Sequence, residues 1–320
     1  MKIVVLDGST LNPGDNPWTC VQSHGDVTIY EGCLPGEIVA RCAEAPIVLT
    51  NKVPLDAVTL DQLPELKLIA VTATGYNVVD VAAANASGIT VCNVPVYSTQ
   101  SVAQHVFAML LSFVHRAEAH HDAIGDGQWQ ERGKFSFWLS PLTELTDKTF
   151  GVIGFGRIGQ ATARLAQAFG LKIMIHSRTK RDVEGFESAR WGSIEEVVAE
   201  SDYISLHCPQ TETNGQFFNA ELIGQMKPTA ILINTARGGL IHEQDLADAL
   251  SNQQIAGACL DVLSSEPPEP SNPLLSAPSC LLTPHIAWTT VEARKRLMQI
   301  TADNIAAFKD GQPINVVQAG

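Results

Sequence analysis

One stretch near the middle of the chain indicates the fold: Thr149-Phe150-Gly151-Val152-Ile153-Gly154-Phe155-Gly156-Arg157-Ile158-Gly159. It begins as a short apolar run, typical of a buried strand, and continues directly into a Gly-x-Gly-x-x-Gly turn. A helical stretch follows from Arg157 to Phe169, and a further apolar run comes after Gly170. In this context the glycines permit a tight turn, close approach of a pyrophosphate, and close packing of helix on strand. The pattern predicts a dinucleotide site, with the phosphates at the helix N-terminus; a purely structural turn is the alternative.

Apolar runs alternate with helical stretches along the whole chain, which indicates parallel sheets covered by helices on both faces. Five runs precede the glycine motif: Lys2–Leu6, Val27–Tyr30, Ile47–Thr50, Leu68–Val71 and Thr90–Val94. Six belong to the second series: Thr149–Ile153, Lys172–His176, Tyr203–His207, Ala230–Asn234, Ala256–Asp261 and Leu281–Thr283. We therefore predict an α/β protein with two doubly wound parallel-sheet domains.

The mid-chain position of the glycine motif predicts that the second domain is inserted into the first. The first would comprise residues 1–98 and 290–320, and the second residues 99–289, with chain crossings near 98–100 and 286–290. The final helix, which begins with a capping box from Thr289 to Glu292 and ends at Gly311, would return to the first domain.

A helix predicted over about residues 100–122 is apolar on nearly every face, which is typical of burial between layers or subunits. A loop rich in Gly, Trp and Phe follows it, from Gly125 to Pro141. We predict that the segment 100–145 forms a homodimer interface.

Composition excludes several classes of protein. The net charge of −13 leaves no basic footprint for nucleic acid. The seven cysteines are scattered without a CxxC pair, which excludes a disulfide framework or zinc ribbon and favours a cytoplasmic protein without a metal site. The longest apolar stretch, Val102 to Val114, contains Gln104 and His105, so no membrane span is predicted.

The end of the strand after the glycine motif distinguishes the two nicotinamide coenzymes. An NAD site usually has Asp or Glu there, to accept hydrogen bonds from the ribose hydroxyls. This chain has Ser177, Arg178 and Thr179, and its next acid is Asp182. Because Arg can bind a 2′-phosphate through two parallel hydrogen bonds, the pattern favours NADP(H). A solvated basic loop beside an NAD(H) site is the alternative.

Three side chains, Arg237, Glu266 and His285, follow predicted strands at the edge where open α/β sheets bind ligands. Singly, each has an ordinary explanation, as a surface charge, a solvated loop residue or a structural histidine. Together they fit the reduction of a 2-oxo acid, which needs a cation for the carboxylate and carbonyl, and a proton donor beside the hydride donor. Arginine binds carboxylates through paired hydrogen bonds, and histidine exchanges protons near neutral pH.

At this point the sequence resembles a known family, the D-isomer-specific 2-hydroxyacid dehydrogenases, over essentially its whole length. The resemblance rests on Ala73-Thr74-Gly75-Tyr76-Asn77, Gly154–Gly159, Asn234-Thr235-Ala236-Arg237-Gly238, Asp261-Val262 with Glu266-Pro267, and Thr283-Pro284-His285-Ile286. It implies a flavodoxin-like substrate domain with an inserted Rossmann domain. It also implies that His285 is the acid/base, Glu266 its partner and Arg237 the substrate anchor.

The resemblance further implies that the backbone N–H groups around Ala73, Thr74 and Gly75 bind the substrate carboxylate, and that Asp261 holds the nicotinamide carboxamide. The remaining residues implied to contact the cofactor are Thr99, Cys208, Pro209, Thr235, Ala236 and His285, beside the glycine turn.

Within the family the chain looks most like the glycerate dehydrogenases, also called hydroxypyruvate or glyoxylate reductases. Trp138 would either reach a partner subunit's active site or only pack at the interface. The alternative function is a non-enzymatic regulator that senses dinucleotides on the same fold.

Overall fold

The computed structural model describes residues 1–318, and their contacts divide the chain into two units. The first unit is Met1–Ser98 together with the chain from Trp288 onward, and the second is Thr99–Ala287. The chain therefore crosses between the units after Ser98 and again after Ala287.

Strands and helices alternate along both units. Within residues 1–318 the strands are β1 Lys2–Val5, β2 Asp26–Ile29, β3 Ile47–Thr50, β4 Leu68–Val71, β5 Thr90–Cys92, β6 Thr149–Ile153, β7 Lys172–His176, β8 Arg190–Trp191, β9 Tyr203–Leu206, β10 Ile231–Asn234, β11 Gly257–Leu260 and β12 Cys280–Leu282. The α-helices are α1 Thr19–Gln22, α2 Ile38–Cys42, α3 Ala57–Asp61, α4 Val81–Ala86, α5 Thr99–His115, α6 Ala117–Gly125, α7 Gln128–Arg132, α8 Arg157–Ala168, α9 Ile194–Glu200, α10 Ala220–Ile223, α11 Glu243–Ser251 and α12 Val291–Lys309.

Each unit contains one parallel sheet. The first has the strand order β2-β1-β3-β4-β5, which is the flavodoxin-like order, and the second has the order β12-β11-β10-β9-β6-β7-β8. In the second sheet the order reverses between β6 and β9, at the strand that precedes the glycine turn. The predicted α/β fold with two parallel sheets is confirmed, and every predicted run overlaps a strand whose ends differ from it by two residues at most.

The central strands have no polar face. All four residues of β3, β4, β9, β10 and β11 are buried, because helices cover both faces of each sheet. The two-residue strand β8 was not predicted, since it is too short to produce an apolar run.

The single helix predicted over residues 100–122 is wrong in its second half. The chain leaves α5 at Arg116, whose φ is 49°, and begins a separate helix, α6. The apolar burial of α5 ends at Val114, and the polar sequence after it has no continuous apolar face to keep the same helix packed. The predicted loop Gly125–Pro141 likewise contains a short helix, α7.

Helix α12 belongs to the first unit, where it packs on the sheet through Ala302 and Ile305 against Ile3 and Leu49. Its N-cap is Thr290, whose side chain accepts a hydrogen bond from the backbone of the third helical residue. The predicted capping box from Thr289 to Glu292 is therefore wrong by one position, and the true third residue is an alanine that cannot complete such a box. Among residues 1–318, no helix combines the length and the apolar character that a bilayer crossing requires.

Candidate active site

The register of the second sheet aligns the carboxyl ends of its strands. Ile153 pairs with Leu206, Leu206 with Asn234, Asn234 with Leu260, and Leu260 with Leu282. The predicted residues follow these ends: Gly154–Gly159 after β6, Ser177–Thr179 after β7, Cys208 and Pro209 after β9, Thr235–Arg237 after β10, Asp261 and Glu266 after β11, and His285 after β12. Thr99 is the first residue of α5. The fold thus places nearly all of the predicted residues of this unit at one sheet edge.

The three glycines of the turn after β6 have different surroundings. Gly154 has a φ of 99°, and a Cβ there would lie 2.6 Å from the carbonyl carbon of His207. A Cβ on Gly159 would overlap the carbonyl oxygen of Gly154, so this glycine lets α8 pack against the strand. A Cβ on Gly156 would meet nothing within 4 Å. Only the second glycine therefore faces open space, where a ligand can approach the backbone closely.

The beginning of α8 presents backbone donors to that open space. Gly156 is its N-cap and provides no side chain to accept from the first N–H groups, those of Arg157 and Ile158 among them. Uncapped N–H groups and the positive end of a twelve-residue helix suit a pyrophosphate. The side chain of Phe155 is directed elsewhere: it is buried against Phe186 and Trp191, with ring centroids 5.1 and 5.5 Å away. Of Phe155, only the backbone can serve a cofactor.

The basic segment after β7 carries an exposed guanidinium. Arg178 makes no ion pair within the described part of the chain, while Lys180 lies over the ring of Trp191 at 5.9 Å from its centroid. Burial raises the pKa of Cys208, and the Arg178 guanidinium partly opposes that rise, which places Arg178 within electrostatic reach of Cys208. The basic segment after β7 and the loop after β9 therefore lie near each other.

A buried asparagine shapes the loop that holds Arg237. The side chain of Asn234 accepts from the backbone of Ala236 at 2.9 Å and donates to the carbonyl of Arg237 at 2.9 Å. Arg237 is exposed, and its Nη1 donates to the carbonyl of Ala236 at 2.6 Å. The hydroxyl of Thr235 is buried and has no hydrogen-bond partner among residues 1–318. Thr162 and Ser201 also have buried hydroxyls without a partner, but of the three only Thr235 follows the carboxyl end of a strand, where its hydroxyl could bond a ligand.

The loops that carry Arg237 and Glu266 touch through a glycine. A Cβ on Gly238 would overlap the carbonyl carbon of Leu263, so the two loops can approach only because this residue has no side chain. The backbone N–H of Leu263 donates to Oε1 of Glu266 at 3.2 Å. Glu266 is thereby held by its own loop, with the second carboxylate oxygen directed to a different partner.

That partner is His285, whose Nδ1 lies 2.6 Å from Oε2 of Glu266. A carboxylate can only accept, so Nδ1 carries the hydrogen and Nε2 is left to exchange a proton with another molecule. The side chains are 26% and 36% exposed, which leaves the ring accessible. The predicted pairing of these two residues is therefore present in the structure.

Asp261 determines the backbone geometry on which His285 depends. Its Oδ1 accepts from the N–H of Ile286 and its Oδ2 from that of Ala287, both at 2.8 Å, and Oδ1 also accepts from the hydroxyl of Thr283 at 2.6 Å. Between these contacts His285 adopts a φ of 54°, which non-glycine residues rarely do. Asp261 thus keeps the turn in a strained shape that exposes the histidine ring.

The resemblance implied another role for Asp261, contact with the nicotinamide carboxamide. In the structure its side chain is fully buried, and its observed hydrogen bonds belong to the turn. Burial alone would raise the pKa of Asp261, but hydrogen bonds from His105, Thr283 and the backbone of Ala287 and Ile286 outweigh burial and lower it. The carboxylate is therefore stable as an anion inside the turn, and the carboxamide contact stays a prediction.

In the first unit, Ala73, Thr74 and Gly75 follow the carboxyl end of β4. The hydroxyl of Thr74 donates to the carbonyl of Val94 at 2.8 Å, and the N–H of Val94 donates to the carbonyl of Ala73 at 3.0 Å. Within residues 1–318 the backbone N–H groups of Thr74 and Gly75 have no acceptor. Two adjacent N–H groups without acceptors can bind a carboxylate.

Comparison with known proteins identifies the family. The family model described as D-isomer specific 2-hydroxyacid dehydrogenase, NAD binding domain, matches residues 107–287. A hydroxypyruvate reductase of Blautia hydrogenotrophica is 43% identical over 320 residues, covering 99% of both chains. The chain belongs to the D-isomer-specific 2-hydroxyacid dehydrogenases. It is accordingly an oxidoreductase that uses a nicotinamide cofactor.

Two further relatives of this dehydrogenase cover its whole length. A glycerate dehydrogenase of Methylorubrum extorquens is 39% identical over 321 residues, covering 99% of both chains. The structure of an NADPH-dependent glyoxylate/hydroxypyruvate reductase from Sinorhizobium meliloti, in complex with NADP and malonate, superposes with a TM-score of 0.82 at 30% identity, covering 99% of this chain and 96% of that one. The family resemblance seen in the sequence motifs is confirmed.

Two residues of this dehydrogenase that hold the site's loops by hydrogen bonds, His105 and Asn234, were not predicted to do so from the sequence. His105 of α5 lies 3.0 Å from the hydroxyl of Thr283 and 3.4 Å from Asp261, so it joins the helix to the histidine turn. Asn234 was predicted only as part of a motif. The sequence did contain a signal for both residues. A histidine within an apolar helix and an asparagine at the end of an apolar strand are expected to be buried, and a buried polar side chain needs a hydrogen-bond partner.

Proposed function

We propose that this dehydrogenase reduces hydroxypyruvate or glyoxylate to the corresponding 2-hydroxy acid, with NADPH preferred over NADH. The observation that carries the proposal is the Glu266–His285 pair, 2.6 Å apart, at the same sheet edge as the glycine turn. The relatives' names, hydroxypyruvate reductase and glycerate dehydrogenase, support the substrate class.

The second unit would bind the coenzyme. Its pyrophosphate would lie on the N–H groups around Gly156 and Arg157, where the second glycine faces open space. Ser177, Arg178 and Thr179 would receive the 2′-phosphate, and the orphaned hydroxyl of Thr235 would donate or accept at the ligand. Thr99, Ala236, Cys208 and Pro209 are the other proposed contacts. The bound nicotinamide supplies the hydride that reduces the carbonyl carbon.

The chain's own residues would handle the proton and the charges. His285 would give the proton on Nε2 to the carbonyl oxygen as that oxygen gains negative charge, while Glu266 keeps the ring oriented through Nδ1. Arg237 would bind the carboxylate and polarise the carbonyl. The N–H groups of Thr74 and Gly75, which have no acceptor within residues 1–318, would bind a carboxylate oxygen. In this proposal the first unit is the substrate domain.

A steady-state panel of hydroxypyruvate, glyoxylate, pyruvate and a branched 2-oxo acid, each with NADPH and NADH, tests the reaction. We expect the highest kcat/KM for one of the first two substrates. Tight coenzyme binding with no turnover of any substrate would contradict the proposal and favour a dinucleotide-sensing regulator. A preference for the branched acid would retain the reaction class and overturn the substrate.

The same panel tests the coenzyme. We expect a higher kcat/KM with NADPH, because the exposed Arg178 guanidinium has no ion-pair partner in the described chain and matches a phosphate dianion. Arg178→Ala should remove the preference while leaving kcat/KM for NADH nearly unchanged. Lys148→Ala, outside this segment, is the matched loss of one charge. Equal efficiency with both coenzymes in the unsubstituted protein would contradict the expectation.

We also propose a homodimer formed by the segment 100–145. The support is a concentration of exposed apolar side chains there, among them Phe135 at 96%, Trp138 at 65% and Leu142 at 51% exposure, which is unusual in a monomer.

We also propose that the protein works in the reducing cytoplasm. The support is that all seven cysteines are unpaired.

Light scattering on a size-exclusion column should give twice the chain mass of 34.4 kDa. The triple substitution of Phe135, Trp138 and Leu142 by serine should give the monomer mass in a chain that still folds, because these side chains are exposed in the single chain. A dimer that survives the triple substitution would place the interface elsewhere.

The single substitution Trp138→Ala tests whether Trp138 reaches the active site of a partner subunit. If it raises KM while the dimer persists, Trp138 reaches that site. If KM is unchanged, Trp138 only packs at the interface.

A further inference from the structure

Three asparagines of the first unit form a continuous chain of hydrogen bonds that ends at the turn after β4. The side-chain NH₂ of Asn315 donates to Oδ1 of Asn304 at 2.8 Å, and the NH₂ of Asn304 donates to the backbone carbonyl of Asn93 at 2.9 Å. The NH₂ of Asn93 then donates to the carbonyl of Thr74 at 2.8 Å. Asn304 lies on α12 and is fully buried. Residues far apart in sequence are thereby joined to one turn.

Asn93 is held on both sides of its own backbone. Its N–H donates to the carbonyl of Asn315 at 3.1 Å, and its carbonyl is the group that accepts from Asn304. Because both the N–H and the carbonyl of Asn93 are hydrogen-bonded, the position of its Cα is fixed, and so is the origin of the side chain that contacts Thr74. The amides behind Asn93 therefore determine where its donor lies.

Peptide geometry turns this contact into control over two N–H groups. A trans peptide is planar, and its C=O and N–H point in opposite directions. The carbonyl of Thr74 shares its plane with the N–H of Gly75, and the carbonyl of Ala73 shares its plane with the N–H of Thr74. Asn93 bonds the first carbonyl and the N–H of Val94 bonds the second. The direction of both acceptor-free N–H groups is thus fixed by residues 93 and 94.

We infer that Asn93, with Asn304 and Asn315 behind it, is a positioning network that orients the N–H groups of Thr74 and Gly75 toward the carboxylate of the 2-oxo acid. This inference rests on the proposed function, in which that turn binds the substrate. It assigns a role in substrate binding to Asn304 and Asn315, which act through Asn93 and not by direct contact with the substrate.

The residue type fits this role. An amide is at once donor and acceptor, so Asn304 can accept from Asn315 and donate to Asn93 within one side chain. A buried apolar residue would leave the carbonyl of Asn93 without this partner, and a carboxylate could not donate to it. Asn315 has a φ of 53°, a conformation that asparagine tolerates better than most residues.

The test compares Asn93→Ala, Asn304→Ala and Asn315→Gly with Thr301→Ala. Thr301 is a buried hydroxyl on α12 that donates only along its own helix, to the carbonyl of Leu297 at 2.9 Å, so it controls for general loosening of that helix. Glycine at 315 deletes the amide and keeps the left-handed backbone favourable. Four quantities are measured: KM and kcat for the 2-oxo acid, Kd for NADPH, and amide hydrogen exchange over residues 72–77 and 92–96.

We expect Asn93→Ala and Asn304→Ala to raise KM for the 2-oxo acid roughly tenfold with kcat nearly unchanged, as when an interaction of equal strength in the ground state and the transition state is lost. Asn315→Gly, one step further away, should raise KM less. Exchange at the N–H of Val94 should become faster, because its bond to Ala73 is loosened. Kd for NADPH should not change, and Thr301→Ala should change neither KM nor this exchange even if it lowers Tm.

Unchanged exchange in Asn93→Ala and Asn304→Ala would show that the amides do not hold the turn and would overturn the inference. Faster exchange with an unchanged KM would show that the turn does not bind the substrate, which overturns the inference and the carboxylate assignment together. Turnover by the unsubstituted protein in the substrate panel still decides the proposed reaction separately. Asn93 is only partly buried, so its variant remains informative if Asn304→Ala does not fold.

Discussion

We expect His285→Ala to lower kcat by about 10²–10⁴-fold, the usual loss when a general acid–base group is removed. In the proposed reaction the carbonyl oxygen gains negative charge as the hydride arrives. Nε2 is the ring nitrogen of His285 that would give it a proton, since Nδ1 is hydrogen-bonded to Glu266 at 2.6 Å. The measurement is single-turnover reduction at saturating coenzyme, followed by the loss of NADPH absorbance. Kd for NADPH should remain within a factor of two, because the ring is not part of the phosphate-binding turn.

Glu266→Gln is the matched control for that experiment. A glutamine can still bond Nδ1 and orient the ring, but it carries no charge to stabilise the protonated imidazole. We expect a smaller loss of kcat than for His285→Ala and a displaced pH–rate profile. Full activity of His285→Ala, or identical losses in both variants without any change in the pH profile, would exclude the proposed acid role.

The second large effect is expected for Arg237→Ala, which should lower kcat/KM for the 2-oxo acid by roughly 10²–10³-fold, comparable with the loss of a donor to a developing oxyanion. KM should rise and kcat should fall, because the guanidinium would serve both binding and polarisation. Its loop is held independently by Asn234, so the backbone should keep its shape without the side chain. Initial rates over a range of substrate concentrations separate the two constants.

Arg237→Lys keeps the charge but loses the planar pair of donors. If bidentate binding matters, lysine should restore only a small part of the lost kcat/KM. If Arg237→Lys has the same kcat/KM as the unsubstituted enzyme, the positive charge at position 237 is sufficient and paired hydrogen bonds are not required. An unchanged KM in Arg237→Ala would contradict its assignment to the carboxylate.

The fold was predictable because its signals are local. Each buried strand is a continuous apolar run. The Gly154–Gly159 turn requires glycine at its first and third glycine positions, because a Cβ there would overlap backbone atoms. Sequence could therefore place every strand except the two-residue β8 to within two residues, and it located the glycine turn. The break at Arg116 was not predictable in the same way, because it depends on where the apolar contacts of α5 end in three dimensions.

The site was predictable only in part. The Glu266–His285 pair was expected from chemistry and resemblance, and its geometry agrees. The side chain of Phe155 and the contacts of Asp261 were not foreseen, because each depends on neighbours chosen by packing: Phe186 and Trp191 for one, the 283–287 turn for the other. The bond from Asn304 to Asn93 spans 211 residues, and no local pattern indicates such a partner.

The insertion of one unit within the other has a consequence for synthesis on the ribosome. Residues 1–98 leave the ribosome first, but α12, whose Ala302 and Ile305 cover Ile3 and Leu49, follows only after the whole of Thr99–Ala287. At 5–20 residues per second the delay is roughly 10–40 s. During that interval one apolar face of the first sheet is covered only by the short helix α1, through Val21. The nascent chain should therefore be most prone to aggregate, and most dependent on chaperones, while its second unit is already complete.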